Sequence, residues 1–338
     1  KNMKCQQKEY DLCYWYCSIL WINVILSILI VFLHTNFESD NIVYVTLKHY
    51  MNTLADCAVP AFFCISAYLT FRKYKLSLYN YKTLLLKRMK TLIVPYILWN
   101  IIGYIYQSTN EYLTSRQISV LSVRKVFISA YNEPLWFIRT LYIFVIISPI
   151  IFLIVRNKTL TIVLILGDIF LNLSKEINYT SVLFWLPIYL IGAYSGINCK
   201  ESIEKNVPHN RIKQLCLLGG YIVLTVVIAN WSDRNIYYIY RLISGLWIIW
   251  IFMEIKWKKM PMSILQNSFF TFCSHVLFLG ILQKVFYAIC IGFSIQIYIA
   301  YMLCSFSIWI VTIILAEIMK KHFSVIYSIL SGNRKGKI

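Results

Sequence analysis

The chain has 338 residues, 59% of them hydrophobic and 14% charged, with a mean hydropathy of +0.64. So large an apolar excess excludes an ordinary soluble domain, which needs a polar skin over its core. Its 33 lysines and arginines against 14 acids leave a formal net charge of +19, but these cations lie between apolar runs and form no single basic face, so a nucleic-acid partner is not expected.

Ten apolar segments follow in chain order, at about 15–34, 56–71, 91–107, 135–155, 159–173, 181–197, 215–231, 237–255, 264–288 and 297–318. Most approach the roughly 20 residues needed to cross ~30 Å of hydrocarbon at 1.5 Å per residue. The expected fold class is therefore an all-α polytopic membrane protein with about ten transmembrane helices. Residues 1–338 read as a single membrane-embedded domain, with tails at 1–14 and 319–338. The first segment follows Lys1, Lys4 and Lys8; it is too long for a signal-peptide core and lacks a small-x-small cleavage site, so it reads as a retained span.

With the N-terminus inside, 24 of the cations fall in cytoplasmic loops and tails and three fall within spans. Only six lie outside: Lys48, Arg116, Arg124, Lys125, Lys175 and Arg234. That bias places both termini in the cytoplasm and the protein in the cell inner (cytoplasmic) membrane. Cys17, Cys64, Cys216, Cys273, Cys290 and Cys304 sit inside apolar runs, and no pair has CxxC or His/Cys metal spacing. Neither a disulfide framework nor a metal site is expected.

Ionisable residues within spans cost about 2.5–3.5 kcal/mol each at the bilayer centre on insertion scales and need a partner, water or a task. Here they are His34, Arg139, Asp168, Arg241, His275 and Lys284. Most belong to the outer half, which reads either as interfacial anchoring by snorkelling side chains or as a cavity open outward and lined by cations and two histidines. Asp168 is a candidate partner for Arg139. His34 closes the first span. An imidazole, with an ordinary pKa of about 6.5, can take a proton from a hydroxyl at neutral pH and return it. There is no G-x-S-x-G, P-loop or GxGxxG, so direct acyl transfer with His34 as general base is simpler than a covalent serine route. The rival reading is a transporter or flippase for a lipid-linked glycan, although the internal repeat common in such folds is not evident.

The ordered landmarks resemble the membrane acyltransferase 3 family of integral membrane O-acyltransferases. Leu-Ile-Val-Phe-Leu-His34 is similar to the family's apolar helix ending in histidine. The run from Val59 to Leu69 resembles P-x-F-F-x-x-S-G-Y-L, with Ala67 for glycine. Lys87-Arg88-Met89-Lys90 and the following Val94-Pro95-Tyr96-Ile97-Leu98-Trp99 are similar to R-x-x-R and I-P-Y-x-x-W. Pro134-Leu135-Trp136-Phe137-Ile138-Arg139, followed by Pro149, resembles P-L-W-F-L-R with its downstream proline. The run from Ser268 to His275 resembles S-F-x-x-Y-x-x-H. Two positions depart: Asn23, where relatives often carry arginine, and Thr91, in place of the second arginine.

The resemblance implies an acyl-CoA co-substrate, acetyl-CoA by default, held from the cytoplasm by Arg88, Lys90 and Arg72. It implies catalysis by His34, with Arg139 or His275 stabilising the oxyanion. Trp136 and Ser66 would contact the acceptor, an extracytoplasmic or lipid-linked carbohydrate. The other expected partners are membrane lipids, with a second copy of the chain compatible.

Overall fold

Proline decides where the long helices break. The computed structural model describes residues 2–116, 120–128, 130–204, 210–231, 233–255, 257 and 259–333, with backbone alone for 2–14 and 128. Lys1, Lys205, Lys256, Lys258, Arg334, Lys335 and Lys337, assigned above to the cytoplasm, lie outside the described residues. The described residues contain helices and no strand. In chain order these are α1 (Asn2–His34), α2 (Ile42–Ala55), α3 (Ala58–Phe71), α4 (Leu78–Arg88), α5 (Val94–Ser115), α6 (Val123–Ile128), α7 (Trp136–Ile146) and α8 (Ser148–Arg156). They continue as α9 (Lys158–Ser174), α10 (Val182–Asn198), α11 (Lys200–Ile203), α12 (Arg211–Ala229), α13 (Arg234–Glu254), α14 (Ser268–Phe293), α15 (Ile297–His322) and α16 (Ser324–Leu330). A π-helical turn, Met89–Ile93, joins α4 to α5, and a 3₁₀ turn, Glu133–Leu135, leads into α7.

Six stretches of the described chain are long and apolar enough to cross a membrane: Trp15–His34, Ile42–Phe71, Arg211–Ala229, Arg234–Glu254, Ser268–Phe293 and Ile297–His322. Glu133–Ile146 and Ser148–Arg156, bent by 66°, make a seventh if taken as one span. The protein is thus an all-helical membrane protein with several spans, six or seven of which pass on length and composition among the described residues. The segments expected at 159–173 and 181–197 are helical, but α9 and α10 hold 17 residues each. That is about 26 Å of helix against ~30 Å of hydrocarbon. The segment at 91–107 starts on the π turn, and α5 becomes polar beyond Tyr106. Conversely, residues 42–55, expected in an outer loop, form helix α2 within the second span.

The chain forms two compact units, each built from separate stretches. The first comprises Lys1–Leu29, Thr46–Asn80 and Ile147–Met262; the second comprises Ile30–Val45, Tyr81–Ile146 and Ser263–Ile338.

In the first unit α3 lies against α10 and α13. A Cβ on Gly192 would stand 2.3 Å from the Cys64 carbonyl oxygen, and one on Gly196 2.8 Å from that of Tyr68. These two glycines are a GxxxG pair, which lets helix backbones approach where apolar burial against lipid gives no drive to associate. Gly245 of α13 meets Pro60 in the same way, at 2.7 Å. Pro60 also explains the break between α2 and α3, because it has no N–H for the Asp56 carbonyl and its ring crowds that group. The carbonyls around the break find new donors: Tyr240 Oη donates to Thr53 O (2.9 Å) and Tyr221 Oη to Leu54 O (2.8 Å). The Asp56 carboxylate takes the Tyr237 hydroxyl and pairs with Arg241 at 3.4 Å. Arg241 is therefore a structural partner of Asp56, a residue that nothing in its sequence context singles out.

In the second unit α14 and α15 form a hairpin through Ser294, which adopts φ 52°. After α15 the chain folds back through α16. Trp99 of α5 donates to Leu330 O (3.1 Å) and packs edge-on against Phe270 of α14. Gly332, at φ +69°, seats its turn on the π turn, where a Cβ would fall 2.3 Å from Thr91 O. The α3–α10 contact predicts that Gly192→Ala, which forces two backbones apart, destabilises the protein by about 1–3 kcal/mol. The check is a fall in the melting temperature of the detergent-purified protein, with Gly219→Ala, where a Cβ meets nothing within 4 Å, as the control that leaves it unchanged.

Candidate active site

The site is built at the end of α1. His34 is the last residue of that helix and is half-buried. The turn carrying it is fixed on both sides: Thr35 Oγ1 donates to Val31 O (2.8 Å), and Tyr301 Oη of α15 donates to Phe32 O (3.1 Å). The Phe32 ring stands edge-on to Tyr301 and Phe306, and Gln283 of α14 donates to Asn36 O (2.7 Å). These contacts fix the backbone that carries the imidazole.

His275, eight residues into α14, faces it. The two imidazole rings lie 5.2 Å apart, tilted by 48°. His275 is fully buried, and its Nδ1 lies 2.8 Å from Phe272 O and 3.2 Å from Thr271 O. Carbonyl oxygens only accept, so Nδ1 carries a proton. In a neutral imidazole Nε2 is then a lone pair, and it accepts no hydrogen bond from any described group. The neutral ring has no N–H left for an oxyanion. It offers an acceptor beside His34, which is a different service from the oxyanion donor expected of it.

The motif around Tyr96 and Trp99 supports this arrangement from below. Tyr96 Oη donates to Val126 O, Asn100 Oδ1 accepts from Tyr131 N (2.8 Å), and Gly103 lies against Asn132. Thus α5 carries the segment 126–132. Asn132, in turn, donates to Cys273 O (2.7 Å), in the turn of α14 just before His275. Phe137 packs edge-on against Phe272 at 5.5 Å. Arg139 lies half-buried and donates to Phe127 O (3.0 Å), holding the end of α6. Asn132 is a supporting residue that sequence reasoning missed. The one signal available was a polar amide two residues ahead of Pro134.

Residues 18–316 match the family model described as an acyltransferase domain. The chain belongs to the acyltransferase 3 family. A further similarity, 26% identity over 186 residues, is to the succinoglycan biosynthesis protein ExoH of Rhizobium meliloti (strain 1021); it covers 51% of this chain and 48% of that protein. The chain thus spans about half the length of the curated relative it matches. No solved structure matches it.

The remaining expected residues fall in different surroundings. Arg88 and Lys90 flank the start of the π turn in the second unit, Arg88 half-buried and Lys90 exposed. Single π turns often mark functional positions. Arg72 belongs to the first unit, where its guanidinium pairs with Glu204 at 2.7 Å and covers the Trp15 ring at 4.4 Å. Ser66, in the same unit, is half-buried, and its carbonyl takes the Thr70 hydroxyl (2.8 Å). Trp136 is only 8% exposed, in the first turn of α7, so its ring is a wall and not an open stacking face. Asp168 accepts from Asn172 Nδ2 at 3.2 Å. Truncating Asn132 to Ala removes its bond to Cys273 O, a loss of about 0.5–1.5 kcal/mol. The expected outcome is a lower melting temperature together with a reduced turnover number, read in parallel on the purified protein.

Proposed function

We propose that this protein transfers an acyl group from acyl-CoA, acetyl by default, to a hydroxyl of an extracytoplasmic or lipid-linked carbohydrate. The observation that carries the reading is the pair of imidazoles, His34 at the end of an apolar helix and the buried His275 at 5.2 Å. Family membership supports acyl transfer, and a relative named for succinoglycan biosynthesis favours a saccharide acceptor.

His34 takes the proton of the acceptor hydroxyl as its oxygen attacks the thioester carbonyl. The tetrahedral intermediate collapses with loss of the CoA thiolate, and the proton on His34 passes to that sulfur. While His34 is an imidazolium, the Nε2 lone pair of His275 is the neighbouring acceptor able to stabilise its charge. Arg139 sets the segment beneath the site and adds positive charge toward the oxyanion. At the other end of the path, Arg88 and Lys90 meet the donor's phosphates as cations. We leave Arg72 out of that set, because Glu204 and Trp15 already engage it.

Replacing His34 with Ala should lower acyl transfer by about 10²–10⁴-fold, the contribution of a positioned base. The readout is the acyl mass on surface glycan from cells expressing the variant at wild-type level; undiminished acylation sinks the proposal. His275→Asn keeps an N–H that can donate to Phe272 O but removes the Nε2 acceptor. It should preserve the melting temperature and lower the turnover number, with the KM for acyl-CoA unchanged.

A further inference from the structure

Outside the histidine pair, a cavity of about 570 Å³ lies in the first unit. It sits where the last turns of α9 and α12 meet the first turns of α10 and α13. The cation distribution assigns those ends to the outside. Its volume is within the range of about 300–1,000 Å³ usual for small-molecule sites.

The lining combines flat aromatic faces with paired polar groups. Trp231 and Tyr179, 54% and 43% exposed, stand in the wall with Tyr238. Asn172, which also lines the cavity, is 3% exposed. Its Nδ2 donates toward three oxygens: Asp168 O (2.8 Å), Asp168 Oδ2 (3.2 Å) and Leu183 O (3.4 Å). Three acceptors on one side fix which end of the amide is nitrogen. Oδ1 is left as a buried acceptor that receives no hydrogen bond from any described group, a state that ordinarily calls for a donor.

Charge decides against an anionic ligand. Arg234 is held by Asn172 O (2.6 Å), Lys175 O (2.8 Å) and Glu176 (3.4 Å), and Arg241 pairs with Asp56 (3.4 Å). Both guanidinium groups are thus matched by a carboxylate. A phosphate headgroup would have to compete with those partners, whereas a neutral polyhydroxylated ring would not. Its C–H faces suit the aromatic walls and its hydroxyls suit the amide and carboxylate acceptors.

We infer that this cavity is a saccharide-binding site, separate from the histidine pair, which holds a neutral stretch of the glycan acceptor. The inference rests on the acyl-transfer reading for the identity of the glycan as acceptor, but not for the binding itself. Its test uses the full chain in nanodiscs and oligosaccharides released from the host's surface glycan, stripped of acyl groups with mild base. Wild-type protein and His34→Ala should bind them equally, while Trp231→Ala and Tyr179→Ala each weaken binding by up to about tenfold with an unchanged melting temperature. With polymeric acceptor, the same two variants should raise KM and leave kcat alone.

Two outcomes overturn the site. One is that wild-type protein does not bind the oligosaccharides, or that both wall variants bind as wild type does. The other is that phosphatidylglycerol vesicles, and not the sugars, bind in a manner sensitive to Trp231. If His34→Ala still transfers acyl groups while the wall variants lose sugar binding, the catalytic assignment falls and the binding site stands.

Discussion

A backbone carbonyl released inside hydrocarbon has no water to accept from, and this constraint organises the whole protein. Each long apolar stretch that breaks does so ahead of a proline: Pro60 after the α2–α3 break, Pro95 after the π turn, and Pro149 after the bend between α7 and α8. Proline frees a carbonyl four residues back, so the break needs a new donor nearby. Tyrosine hydroxyls reach carbonyls close to two of these breaks. Tyr240 and Tyr221 serve the carbonyls of residues 53 and 54, and Tyr81 serves that of Ile146 (2.8 Å). With 26 tyrosines in the chain, the aromatic content is as much a set of long-reach hydroxyl donors as a store of apolar surface.

The same rule reaches the histidine pair. Tyr301 donates to the carbonyl of Phe32, two residues before His34, and so holds the last turn of α1 against α15. His275 satisfies its own Nδ1 on the preceding turn of α14. Its Nε2 accepts no hydrogen bond from any described group and lies next to the half-buried imidazole of His34. A buried polar atom in that state ordinarily calls for a partner. Asn172 Oδ1 is another such atom, in the wall of a cavity instead of beside a helix end.

Motif residues divide between chemistry and support. His34 and His275 are the pair to which the proposed chemistry is assigned. Tyr96, Trp99 and Pro60 hold backbone segments in place, and the glycines of α10 set how closely two helices approach. Arg139 holds the end of α6. A motif read as a list of ligands would give each of these a catalytic task, although most of them are anchors whose loss would be felt at the site through displaced backbone.

The sequence by itself determined the membrane class, the family, the histidine at the end of the first apolar helix and the second histidine late in the chain. Hydrophobic runs, prolines and ordered motifs are local properties, so they survive in one dimension. It left the number of spans open, because the 17-residue helices α9 and α10 lie at the lower edge of spanning length and apolar content does not report that α5 turns polar. Only the tertiary structure decided that the two histidines face one another, that Asn132 reaches Cys273, and that Arg72 and Arg241 are already paired with Glu204 and Asp56. Those choices depend on which side chain each helix face meets, and residues far apart in the chain carry no local sign of the partner that will satisfy them.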